Sequence, residues 1–303
     1  MGVGERSGSG QRDLNLAEDE DAGRRRAMLS QNMATRDHAA VIELGRRIVD
    51  KPWGRRGIDQ RFNLDATRQI GEIWFEAPAG RTLDVMAKYL FTTERLSIQV
   101  HPDNPTAHAR GHRSGKDECW IVLDVADKGG ELGIGTVRKA NPEEVLQAAH
   151  DGSIVDLVDW RTPRRGDFIY NPAGTIHALG PGLTVLEIQQ AVDVTYRLYD
   201  YDRPRELHLD EAAEVIDPRP HFHPLDRRIG DDSIVLVDGP YFGVAWCAGE
   251  PPQLPDAMRE VQVLPIDEPV AGLAPGECGL IDVEAARALR SRGRFVLAWS
   301  SET

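Results

Sequence analysis

Residues 96–103, LSIQVHPD, alternate: Leu96, Ile98 and Val100 fall on one parity, Ser97, Gln99 and His101 on the other. Successive side chains of a β-strand point to opposite faces, so the spacing predicts a strand with one apolar face and one face of Ser, Gln and His, ended by Pro102. Either that polar face meets solvent or it lines a ligand or metal site inside a barrel. Short segments of the same kind recur: IWFEA (73–77), LDVMAKYLF (83–91), CWIVLDV (119–125), DFIYNP (167–172), LTVLEIQQ (183–190) and VTYRLYDY (194–201). They are β-branched or aromatic and separated by turn residues, the pattern of a sandwich or barrel.

Two helices interrupt the strands. NPEEVLQAAHDG (141–152) opens on Asn and Pro, carries acids in its first turn and ends on Gly152, as a capped helix should. LDEAAEVI (209–216) is read the same way, with Asp210 as its cap. After IDPRPHFHP (216–224) the texture changes. Segments such as SIVLVD, FGVAWCAG, EVQVLPI and RFVLAW predict a second, smaller β unit. The expected organisation is a tail over 1–36, a main β domain over 37–216 and a C-terminal β domain over 217–303. The tail is Gly/Ser-rich and then carries EDEDAGRRR, so it is expected to be disordered, with Met28 or Met33 as alternative starts.

Composition narrows the classes. The net charge of −13 argues against a nucleic-acid partner, which needs cations along its backbone. No apolar run of about 18 residues predicts a membrane span, and the N-terminus has no apolar core for a secretory signal. Cys119, Cys247 and Cys278 are far apart and form no C-x-x-C pair, which argues against a disulfide framework or thiolate zinc site and fits a reducing cytoplasm.

Four segments carry candidate chemistry. Gln99-x-His101 would aim an amide and an imidazole the same way, able to bind one ion. GKDECW (115–120) opens a strand and offers Lys116 and Glu118 on one face. RRGDFIYNPAGTIHALG (164–180) spaces Gly166, Pro172, Gly174 and His177, and VLEIQQAVDVTYRLYDYDR covers 185–203. His108 and His112 are read as solvent-exposed loop residues, and His221 and His223 as structural. Trp53, Trp74, Trp120 and Trp160 are read as packing the barrel or lining its rim.

The pattern G-x5-P-x-G-x2-H over Gly166–His177 resembles the second cupin motif, although Pro181 stands where that pattern ends in Asn. With Gln99-x-His101 and Glu118 upstream, and with KPWG (51–54), GEIW (71–74), LEIQQ, TYRLYDYDR and PRELHL in order, residues 48–216 resemble the type I phosphomannose isomerases in their short bacterial form. The resemblance implies a mainly all-β fold, a cupin jelly-roll barrel with a few helices. It implies one zinc per chain on Gln99, His101, Glu118 and His177, and interconversion of mannose 6-phosphate and fructose 6-phosphate by a monomer or homodimer. It points to Arg197, Lys116 and Glu187 as catalytic groups and to Lys88, Ser97 and Asp193 as substrate contacts, with Arg203 a weaker cationic candidate. Chemically, a hexose phosphate needs cations for its dianion, and an enediol intermediate needs a base and nearby positive charge. That base could be Glu187 or a water, and Glu187 could instead only orient a water. The residues also fit an isomerase or epimerase of another sugar, or a cupin that binds a sugar phosphate without turning it over.

Overall fold

Alternation along individual strands sets the layers of this computed structural model, which describes residues 1–2 and 41–301. The tail expected over 1–36 lies outside the described residues, apart from Met1 and Gly2. In the strand Leu183–Gln190, Leu183 and Val185 join one apolar cluster, while Leu186 and Ile188 join another. All eight of its residues are buried, so the segment is the central ply between two packed layers.

This strand sits in a seven-stranded antiparallel sheet. The order is Arg227–Arg228, Asp167–Asn171, Glu118–Val125, Leu183–Gln190, Val85–Phe91, Ile70–Glu76 and Gly45–Arg55. One face presents Trp120, Val122, Val185 and Leu90 to Leu132, Ile134 and Leu179 of a second sheet. That second sheet runs Tyr196–Tyr199, Ile98–Val100, His177–Leu179, Leu132–Thr136 and Val158–Arg161. The two sheets face each other as the jelly-roll barrel.

The outer side of the second sheet carries the helices. Ile98 and Val100 pack with Val145, Ala148 and Ala149 of the helix Pro142–Asp151. That helix has the expected termini: the Asn141 side chain accepts from the Glu144 N–H at 2.8 Å, and Gly152 takes a left-handed φ of 83°. The opposite face of the seven-stranded sheet packs Tyr89, Cys119, Leu186 and Ile188 against Phe242, Val244 and Val296. Those last three belong to a six-stranded sheet of Ile42–Glu43, Gly279–Ile281, Met258–Pro265, Arg294–Ser301, Phe242–Ala248 and Ile234–Asp238. From Val41 onward the chain is one compact unit. Ile42–Glu43 crosses to the C-terminal sheet and Arg227–Arg228 crosses to the barrel, so each of these sheets takes an edge strand from the other side of residue 216.

Three local expectations change. The alternating strand spans only Ile98–Val100; Leu96 lies ahead of it and packs toward the barrel interior rather than beside Ile98. The short helix Leu209–Ala213 starts from His208 with no side-chain cap, and Asp210 lies in its first turn. The segment around His108, expected as loop, contains the helix Asn104–Ala109, capped by Asp103 accepting from the Thr106 N–H.

Replacing the cap of the helix Pro142–Asp151, Asn141→Ala, is expected to cost about 1 kcal/mol of stability, read as a lower midpoint in urea unfolding.

Candidate metal centre

Cross-strand pairing assembles the site. Antiparallel partners directly opposite each other share a face. Glu187 stands opposite Lys88 and Trp120, and Lys88 stands opposite Trp74, so these four form one row across the seven-stranded sheet. In the facing sheet Gln99 stands opposite both His177 and Arg197. The polar parity of residues 97–101 therefore faces the barrel interior, and its apolar parity at Ile98 and Val100 faces the helices.

His101, Glu118 and His177 are buried and bring ligand atoms to within 4.8 Å of one another. Glu118 Oε2 is 3.4 Å from His101 Nε2, and Glu118 Oε1 is 3.3 Å from His177 Nε2. Each imidazole is turned by a backbone carbonyl. His101 Nδ1–H donates to Val194 O, and His177 Nδ1–H donates to Thr175 O, both at 2.9 Å. A carbonyl can only accept, so each Nε2 keeps its lone pair and aims it at the centre. Burial, with the Lys116 ammonium beside it, pushes His101 down to about 3, and burial lowers His177 as well. Both rings are neutral, the form that binds a metal.

Gln99 completes the ring, its Nε2 donating to His177 Nε2 at 3.2 Å and its Oε1 accepting from the Ser97 hydroxyl at 3.2 Å. A half-turn of that amide exchanges oxygen for nitrogen. Burial opposes ionisation of Glu118, but the Lys116 ammonium at 2.7 Å holds it well below the usual carboxylate range. Two neutral imidazoles, one carboxylate and one amide make a nitrogen and oxygen donor set suited to a divalent transition metal.

The motif glycines are needed by the backbone. Gly174 has φ 85°, and a Cβ there would stand 2.9 Å from Val215 O. Its N–H donates to His101 O at 2.9 Å, which ties the turn before His177 to the other imidazole.

Beside the donor set lies a cavity of about 290 Å³. Lys51, Lys88, Lys116, Arg197 and Arg205 line it, against Glu72, Glu187 and Asp193. Cations outnumber carboxylates there although the whole chain is acidic. Ser97, Trp53, Trp74 and Trp120 also reach it; Trp160 instead packs under Arg95, 3.9 Å from its guanidinium carbon. Lys88 is buried, its ammonium 2.7 Å from Glu187 Oε1. Burial pulls its pKa down, but Glu187 and Glu72 together hold it above the ordinary lysine value. Burial and the Glu118 charge push Glu187 up, and Trp120 Nε1–H donates to its other oxygen at 2.9 Å.

Ten of the eleven residues singled out from the sequence for metal, catalysis or substrate thus fall at this centre or its cavity. Arg203 is absent from the lining and instead pairs with Asp200. His108 is exposed and bonds to Arg113 O. His221 bonds to Asp226 at 2.9 Å. Lys51, Glu72, Arg205 and Asn171 were missed. Asn171 Nδ2–H donates to Glu118 Oε1 at 2.7 Å, Lys51 pairs with Glu72 at 3.5 Å, and Asp200 grips Arg205 through two 2.5 Å bonds. Each lies inside a segment already notable in the sequence: KPWG, GEIW, PRELHL and DFIYNP.

The buried Lys88–Glu187 pair allows a test by double substitution. Glu187→Leu alone, leaving Lys88 buried without its closest partner, is expected to cost about 3–5 kcal/mol. Adding Lys88→Met should restore much of that loss, read as the coupling energy in urea unfolding.

No protein-family model matches the chain. The chain is 38% identical over 198 residues to GmuF of Bacillus subtilis strain 168, named a probable mannose-6-phosphate isomerase. It is 37% identical over 172 residues to the mannose-6-phosphate isomerase of Streptococcus mutans. These matches cover 59% and 53% of this chain and 62% and 53% of those relatives, so the chain spans less than two thirds of their length. The crystal structure of the mannose 6-phosphate isomerase from Bacillus subtilis superposes with a TM-score of 0.69 at 24% identity, covering 86% of this chain and 99% of that one. The fold is therefore the cupin type that this protein has.

Proposed function

We propose that the chain is a zinc-dependent aldose–ketose isomerase that interconverts mannose 6-phosphate and fructose 6-phosphate. The observation that carries this reading is the convergence of two inward-facing imidazole nitrogens and a carboxylate on one point, beside a cavity rich in cations. The similarity to proteins named mannose-6-phosphate isomerase supports the substrate.

Gln99, His101, Glu118 and His177 would hold the zinc. When bound, the ion supplies Lewis-acid polarisation of the sugar oxygens at C1 and C2. The remaining work falls to side chains. In the open-chain sugar a base takes the proton from C2 and returns one to C1, while a proton passes from O2 to O1. Glu187 suits that base: it lines the cavity, and burial raises its pKa above the ordinary carboxylate value, which makes it a stronger proton acceptor. Lys116, whose ammonium is 3.0 Å from His101 Nε2, and Arg197 on the facing sheet supply positive charge where the enediol oxygens gather electron density.

Lys88 and Ser97 contact the phosphate end, with Asp193 accepting from sugar hydroxyls. Arg205, held rigidly by Asp200, adds to the attraction for a dianion. Trp53, Trp74 and Trp120 make the wall that limits water. A reducing, cytoplasmic setting fits three buried, free cysteines. Among the described residues no helix is long and apolar enough to cross a membrane.

A coupled assay from mannose 6-phosphate to fructose 6-phosphate tests the reading. Activity should vanish with a chelator and return with zinc. His101→Ala should lose bound zinc and about 100-fold or more in activity. Full metal content and activity in that variant, or turnover of free mannose in preference to its phosphate, overturns the assignment.

A further inference from the structure

Asp117 immediately precedes the ligand Glu118, yet the proposed chemistry gives it no part. Its carboxylate is committed to the segment that leads to His177. Oδ1 accepts from the Ala173 N–H at 3.0 Å, and Oδ2 accepts from the Tyr170 hydroxyl at 2.7 Å. The Asp117 backbone is fixed as well, donating to Gln190 Oε1 at 2.9 Å and accepting from the Gln190 N–H at 3.1 Å.

Ala173 lies in the turn from Pro172 to Thr175, closed by the Thr175 N–H on Pro172 O at 3.2 Å. Two contacts run from that turn to the metal ligands: Gly174 N–H to His101 O, and Thr175 O to His177 Nδ1–H. One carboxylate therefore joins the start of the Glu118 strand to the turn that orients both imidazoles. Tyr170 carries the linkage outward. Its N–H donates to Asp226 Oδ1 at 2.9 Å, and its ring stacks on His223 at 4.6 Å and on Phe242 of the C-terminal sheet at 6.0 Å. His221 holds Asp226 from the other side.

We propose that Asp117 is a positioning residue of the metal centre, clamping the Pro172–Thr175 turn in register with Glu118, and that Tyr170 ties this clamp to residues 221–226 and the C-terminal sheet. The inference rests on the metal site of the proposed function and is independent of the sugar. It gives the PHFHP segment and the C-terminal sheet a physical role, because they fix the tyrosine that fixes the clamp. Deleting the carboxylate would leave the Ala173 N–H and the Tyr170 hydroxyl without their acceptor and free the turn to shift relative to Glu118. The ligands themselves would all remain.

The test uses the full chain. Zinc affinity is measured by competition with a chromophoric chelator, ligand geometry by the visible absorption of the cobalt(II)-loaded protein, and folding by thermal melting of the metal-stripped protein. Asp117→Ala is expected to weaken zinc binding by about 10–100-fold and to alter the cobalt spectrum. Asp117→Asn keeps an oxygen for Ala173 and should recover most of the affinity, which a loss of general stability would not predict. Tyr170→Phe removes a single hydroxyl and should weaken zinc by a smaller factor while the stripped protein melts as wild type. Should Asp117→Ala not fold, Tyr170→Phe and Asp117→Asn carry the test. Wild-type zinc affinity and an unchanged cobalt spectrum in Tyr170→Phe, or in a folded Asp117→Ala, overturn the proposal. A wild-type protein that binds zinc but fails to isomerise mannose 6-phosphate sinks the proposed function, while the Asp117 measurements still decide this one.

Discussion

Burying charge is the constraint on which this structure depends. Glu118, Glu187, Lys88 and Lys116 all sit inside the barrel, where an isolated charge would cost several kcal/mol. They are tolerable because each is placed against an opposite charge: Lys88 on Glu187 at 2.7 Å and Lys116 on Glu118 at 2.7 Å. Hydrogen bonds from Asn171 and Trp120 supply further partners for the two carboxylates. The apolar residues Leu90, Val122, Val185 and Leu179 seal the barrel just below this cluster. Low dielectric there strengthens every interaction in the cluster and makes the loss of any one member expensive. The same surroundings keep both imidazoles neutral and hold the Glu118 charge ready for a cation.

The two sheets divide the labour. The seven-stranded sheet is packed on both faces, between the facing sheet and the C-terminal sheet, so its strands are rigid supports for Glu118, Lys88 and Glu187. The five-stranded sheet has helices behind it and supplies Gln99, His177 and Arg197 from across the cavity. Orientation comes from backbone rather than from side-chain packing alone: the carbonyls of Val194 and Thr175 select the tautomer of each histidine. Those carbonyls lie in irregular segments, and such segments keep their shape only where something holds them. Gly174 supplies the left-handed turn at one of them, and Asp117 supplies the acceptor that pins it. An acidic protein thereby presents a cationic cavity, because the excess carboxylates are spread over its surface while five cations converge on one place.

What could be learned from the chain alone was local. A short β-branched segment between turn residues marked the strand Leu183–Gln190 at both of its ends, and the Asn-Pro start and glycine stop marked the helix Pro142–Asp151. Spacing alone put Gln99 and His101 on one face, since residues two apart on a strand share a face whatever surrounds them; the donor set and the barrel type were implied by the resemblance that the motifs carry together. Where short-range rules compete, reading them in isolation failed. Leu96 continued the alternation but lies before the strand begins, so the pleat does not govern its direction. Asp210 had the chemistry of a cap, but the helix starts earlier, at His208. Only the tertiary structure decided which strands became neighbours, and with that which of the many lysines, arginines and carboxylates share the cavity. Lys51, Glu72 and Arg205 join it through cross-strand pairing and loop return. No spacing encodes these contacts, because they depend on how distant segments pack around a common core.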